Sequence, residues 1–203
     1  MTFCLHIVTD DEVVERKNFL QHATGILETG VAKVFHLRGP GTSSRTLLRM
    51  AEALSPIARS HGTNFVINDR VDLALIHDVD GVHLGGRSLP PKSVREILGS
   101  AKILGKSVHN VQEGIDSAEE GIDYLFLGSI FGTASHPGST PLGLEPLRSL
   151  STKVEIPVIA IGGVTSSKVS TLLKAGAQGV AVLGDIWRAP SPLEALLCYQ
   201  HDE

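Results

Sequence analysis

The chain has 203 residues, 42% of them apolar and 20% charged, with a formal net charge of −4. These values fit a single globular α/β domain spanning 1–203, with a sizeable core, and exclude a disordered chain. With no basic run present, neither nucleic acid nor a membrane surface is expected as a partner.

In chain order, Cys4 to Asp10 reads as a first strand and Glu12 to Leu27 as a helix ended by Gly30. Lys33 to Arg38 is a second strand, and Leu47 to Arg59 a helix stopped by Gly62. Asn64 to Asp69 is the third strand, followed by a short helix from Asp72 to His77. Gly81 to Gly86 is the fourth, and Pro91 starts a helix running to Leu98. Ile103 to His109 is the fifth strand, with Gly105 expected to bulge or shorten it, and Val111 to Glu120 is the next helix. Tyr124 to Ile130 is the sixth strand. Residues 131–143 form a long loop with three glycines and two prolines, able to close over a ligand. Leu144 to Val154 is a helix, Val158 to Gly162 the seventh strand, and Ser167 to Ala175 a helix with Thr165 as its expected N-cap. Gly179 to Leu183 is the eighth strand, and Leu193 to Gln200 the last helix.

Eight strands alternating with eight helices, at about 25 residues per unit, predict a single-domain (β/α)8 TIM barrel. The two cysteines, Cys4 and Cys198, have no metal-ligand spacing. The first ten residues carry neither a basic run nor a long apolar one, so no secretory leader and a reducing cytoplasm are expected. No apolar run reaches membrane-spanning length. A homodimer is compatible with the sequence.

In a TIM barrel the chemistry sits at the C-terminal strand ends. The polar residues there are His36, Arg38, Asn68, Asp69, His83, Ser107, His109 and Ser129. His36 and Arg38 are two apart and share one side of the pleat. If that side is the mouth, an imidazole for proton transfer and a guanidinium for an anion converge on one ligand. Otherwise His36 is a buried strand histidine bonded to a neighbour, and Arg38 pairs with Asp69. Pro157 to Gly163 ends in a glycine pair before a helix, and Gly179 to Gly184 repeats the pattern, so Gly162, Gly163, Leu183 and Gly184 are the candidate phosphate site. No lysine at a strand end offers Schiff-base chemistry, and no metal site is supported by the residues alone.

Several runs, in this order, resemble the thiamine phosphate synthase superfamily. They are Val66 to Leu75, Asp80 to Gly85, Ser107 to His109, Asp123 to Phe131, and Pro157 to Gly163. The closest resemblance is to TenI-type thiazole tautomerases, which aromatise a thiazole carboxylate phosphate in thiamine biosynthesis without metal or cofactor. His6, His36 and Arg38 look like that branch. The synthases have glutamine and lysine where this chain has His36 and Pro40, and a second Mg²⁺-binding aspartate where it has Gly85 to Leu89. Their Thr-x-Thr-Lys loop pattern reads Thr133-Ala134-Ser135-His136 here.

The expectation is therefore a cytoplasmic tautomerase, an isomerase acting on a thiazole phosphate. The tautomerase histidine after the strand-six glycine is Ser129 in this chain, so His36 or His136 is expected to replace it, with Ser129 relaying. Arg38 would clamp the carboxylate, and Asn68, Asp69, Ser107, His109, Thr133 and Ser135 would line the substrate. Two alternatives stay open. One is a thiamine phosphate synthase coupling hydroxymethylpyrimidine diphosphate to thiazole phosphate, which would need Mg²⁺. The other is a non-catalytic protein binding thiazole or thiamine phosphate.

Overall fold

A computed structural model describes residues 4–133, 138 and 140–200. Eight parallel strands close into a barrel in sequence order. They are β1 Cys4–Val8, β2 Val34–Leu37, β3 Asn64–Asn68, β4 Gly81–Leu84, β5 Ile103–Val108, β6 Tyr124–Leu127, β7 Val158–Ile161 and β8 Gly179–Val182. β1 closes on β8 with Cys4 opposite Gly179. The helices are α1 Asp11–Val14, α2 Phe19–Glu28, α3 Ser44–Ser60, α4 Val71–Ile76, α5 Pro91–Leu98, α6 Val111–Ala118, α7 Glu145–Ser151, α8 Val169–Lys174, α9 Gly184–Trp187 and α10 Pro192–Leu197. Among the described residues, no helix is long and apolar enough to cross a membrane.

Strand side chains alternate between two environments, because successive Cβ atoms take opposite faces. The outward set (Leu5, Ile7, Phe35, Leu37, Phe65, Ile67, Val82 and Leu84 among it) meets the helices in the main core. A smaller cluster of Val8, Tyr124, Phe126, Ile159 and Ala181 fills the bore. Barrel bores usually hold branched aliphatics. This one also buries His6, His36 and His83, each no more than 2% exposed.

Four expectations change. The first predicted helix divides into α1 and α2: Asp10 caps α1 by accepting from the Val13 N–H at 2.9 Å, and the intervening turn brings Phe19 to 5.8 Å from the Trp187 ring. β5 runs unbroken through Gly105, because that glycine makes room for the Tyr124 ring rather than a bulge. Thr165 caps nothing; a 3-10 turn at Ser166–Lys168 precedes α8, and Thr165 Oγ1 bonds Ser167 Oγ at 3.0 Å. α9 was not predicted: Trp187, at its end, buries its indole and donates Nε1–H to the Val8 carbonyl at 2.9 Å, tying the segment after β8 to β1.

A Cβ at position 105 would lie 2.1 Å from Tyr124 Cζ and 2.5 Å from Cε1. Gly105→Ala is therefore expected to destabilise the fold by about 1–3 kcal/mol, the usual range for overpacking. Urea unfolding checks this; an unchanged midpoint would mean that the ring moves aside freely.

Candidate active site

The C-terminal strand ends open into a cavity of about 1250 Å³. Arg38 reaches it just past β2, Asn68 and Asp69 from the end of β3, Ser107 and His109 from the end of β5, and Ser129 after β6. Thr133, Gly162, Gly163, Leu183 and Gly184 complete the predicted set on its wall. Ser135 and His136 lie outside the described residues.

His36 is the exception, and it corrects the expectation of an imidazole converging with Arg38. It is fully buried and does not line the cavity. Its Nε2 lies 2.9 Å from His6 Nδ1, and its Nδ1 lies 3.3 Å from Asn68 Oδ1. Burial pushes its pKa down to about 3, against a smaller upward pull from the Asn68 bond. A group that holds a proton so weakly is a poor base near neutrality. Among the described residues no histidine bonds to Ser129, so His36 does not reach it; a relay through His136 lies outside the described residues. Ser129 instead packs on Gly162, where a Cβ would stand 2.5 Å from the serine's own.

The anion-binding features are better developed. Gly162 and Gly163 have φ of 96° and 61°, a left-handed run that glycine adopts without strain. Among the described residues their N–H groups, and that of Gly184, donate to no main-chain carbonyl. Two cations that the motif reading passed over stand on the same wall. Lys168 donates to the Gly163 carbonyl at 2.7 Å and lies 4.6 Å from the centre of the Phe131 ring, and Arg188 follows α9. A cation five residues beyond a glycine pair was the available signal for Lys168. Arg38 makes no ion pair with Asp69 among the described residues. Lys106 sits inside β5, two residues short of its end, with Nζ donating to the Gly85 carbonyl at 2.8 Å.

Asp69 is held with φ of 62°, a conformation that aspartate tolerates better than most residues. Its Oδ1 accepts from the Gly85 N–H at 2.8 Å and from the Ser88 hydroxyl. Oδ2 accepts no hydrogen bond from the described residues. Among those residues there is no cluster of three or more His, Cys, Asp or Glu side chains suited to a metal. A hard cation here would thus take one carboxylate oxygen and draw its other ligands from bound phosphate and water, an arrangement that Mg²⁺ accepts.

Residues 5–186 match the family model described as thiamine monophosphate synthase. A thiamine-phosphate synthase from Roseiflexus castenholzii is 37% identical over 189 residues, covering 93% of this chain and 82% of that protein. One from Chlorobium luteolum is 43% identical over 167 residues, covering 82% and 79%. The structure of a thiamine phosphate pyrophosphorylase from Pyrococcus furiosus superposes with a TM-score of 0.86 at 31% identity, covering 97% of this chain and 93% of that one. These findings overturn the tautomerase reading and favour the synthase alternative.

The bore makes a testable demand on pH. Burial first, and then the neighbouring imidazoles, hold His6 and His83 well below the ordinary 6.5, as burial does His36. The unfolded chain therefore binds protons below pH 6.5 that the folded chain refuses. Stability is complete above that pH and falls beneath it by about 1.4 kcal/mol per pH unit for each histidine. Urea unfolding should lose about 4 kcal/mol between pH 7.5 and 5.5 from all three together. A flat profile across that window would contradict their burial in the neutral form.

Proposed function

Because the chain belongs to the thiamine monophosphate synthase family, we propose that it is a transferase, a thiamine-phosphate synthase. It joins hydroxymethylpyrimidine diphosphate to a thiazole phosphate and releases pyrophosphate. The observation that carries this reading is the presence of two anion-binding sectors in one mouth. One consists of Gly162, Gly163, Leu183 and Gly184 with Lys168 and Arg188; the other is Arg38 with Asn68 and Asp69. Two phosphorylated substrates call for two such sectors, whereas isomerising one thiazole phosphate calls for one.

In this reading the glycine sector holds the thiazole monophosphate through main-chain N–H groups. Lys168 rests on the Gly163 carbonyl at 2.7 Å and is placed to turn to an incoming anion. Arg38 and Thr133 bind the diphosphate, with Arg38 making charge-assisted hydrogen bonds to its oxygens. Ser107, His109 and Ser129 border the space between the sectors, where the two rings would meet. His109 has its Nδ1 committed to the Gly128 carbonyl at 2.8 Å, which leaves Nε2 for the ligand. Asp69, through Oδ2, is the residue that would hold Mg²⁺ together with diphosphate oxygens. When bound, the ion would neutralise charge on the departing pyrophosphate. The cations on the glycine side offset the loss of the family lysine at Pro40, since charge neutralisation can come from any wall of a shared cavity.

Incubation with both substrates and Mg²⁺ should release pyrophosphate and form thiamine phosphate. Arg38→Ala and Asp69→Asn should each lower kcat/KM by roughly 10²–10³-fold. Absence of coupling by the wild-type protein, with both substrates saturating, would reject the assignment.

A further inference from the structure

The bore histidines form two hydrogen-bonded chains whose direction can be derived. A neutral imidazole has one N–H and one lone-pair nitrogen, and the three imidazoles are kept neutral by burial. Asn68 Oδ1 can only accept, so His36 Nδ1, at 3.3 Å, carries the hydrogen. His36 Nε2 then accepts, and His6 Nδ1, at 2.9 Å, must donate to it. His6 Nε2 is left to accept from the Cys4 thiol at 3.3 Å. Burial pushes the Cys4 pKa up, which keeps that proton in place.

The second chain runs alongside. Tyr124 Oη lies 2.9 Å from His83 Nδ1, its one hydrogen-bond partner among the described residues. A buried phenol with one partner satisfies its own hydrogen by donating. His83 Nε2 therefore carries the hydrogen and donates to Ser107 Oγ at 2.8 Å. Both chains start low in the barrel, at Cys4 and Tyr124, and end at residues on the cavity wall, Asn68 and Ser107. In each, an acceptor lone pair of the last residue is turned inward and used, which leaves the Asn68 Nδ2 hydrogens and the Ser107 hydroxyl hydrogen to serve the cavity.

We propose that Cys4, His6 and His36 are positioning residues that lock the Asn68 carboxamide with its N–H2 toward the ligand, and that Tyr124 and His83 do the same for the Ser107 hydroxyl. The cavity floor then offers hydrogen-bond donors to a lone-pair acceptor, either a phosphate oxygen or a heterocycle nitrogen. The histidines act through Asn68 and Ser107 and move no proton in the reaction. The identity of the ligand rests on the synthase reading; the direction of the chains does not.

Two-bond ¹H–¹⁵N NMR of the wild-type protein reads the direction with no variant. His6 and His36 should be Nδ1–H tautomers and His83 the Nε2–H tautomer. An Nε2–H tautomer at His36, or Nδ1–H at His83, overturns the proposal. Calorimetry then reads the consequence in the folded protein. His36→Leu should weaken binding of hydroxymethylpyrimidine diphosphate by roughly 10–100-fold, the effect of losing a hydrogen bond to a charged or strongly accepting group. His36→Gln, which keeps an N–H for Asn68 Oδ1, should bind within about threefold of wild type. Adding Asn68→Ala to His36→Leu should cost little more, because both remove the same contact. A merely structural His36 would lower the unfolding midpoint and leave affinity unchanged, or give additive losses with Asn68→Ala, and either result overturns the proposal. With inorganic pyrophosphate as the ligand, the same losses assign the acceptor to the phosphate, and intact binding assigns it to the ring. A protein with the expected tautomers and no coupling activity would reject the synthase reading alone.

Discussion

Closure of the parallel ladder between β1 and β8 is the constraint on which the rest depends. It brings the start of the chain beside its last strand, with Cys4 opposite Gly179. The approach is close enough that a Cβ on Gly179 would stand 2.1 Å from the Cys4 carbonyl oxygen. Once the ring is closed in sequence order, all eight C-terminal strand ends open on one face. Residues as far apart in sequence as Arg38 and Arg188 then share a cavity. Closure also removes both sheet edges and buries the bore side chains, His6, His36 and His83 among them. That burial is what holds three imidazoles neutral.

Much of the architecture is legible in the sequence, because strand and helix follow different hydrophobic periods and glycine marks the turns. All eight strands lie within the predicted segments, differing mainly at their C-terminal ends. Those ends were read too long because residues such as Asp69 and Gly162 continue the segment on paper, while their φ values of 62° and 96° take them out of the ladder. α1 and α2 merged in the reading because nothing local reports the packing of Phe19 on Trp187, a contact between the two ends of the chain.

The site was legible in membership more than in role. Counting strand ends located Arg38, Asn68, Asp69, Ser107 and His109 on one wall, but the pleat alone does not say how deep a residue sits. His36 and Arg38 share a side; one lines the mouth and the other is fully buried. The functional branch was misread for a related reason. Missing charges were counted position by position along the motif, at Pro40 and Ser88. In the closed barrel, Lys168 and Arg188 reach the same cavity from just beyond the two glycine turns. Ser88 supports Asp69 through its hydroxyl where a second carboxylate would have repelled it.

Trp187 carries a consequence of a different kind. It is the only tryptophan in the chain, and its buried indole is bonded to the Val8 carbonyl three residues beyond Gly184 on the cavity wall. Val8 itself lines the same cavity. The molecule therefore contains a single tryptophan, selectively excitable at long wavelength and wired to the mouth by one hydrogen bond. Filling the cavity can be followed as a change in native emission, in real time and without a label.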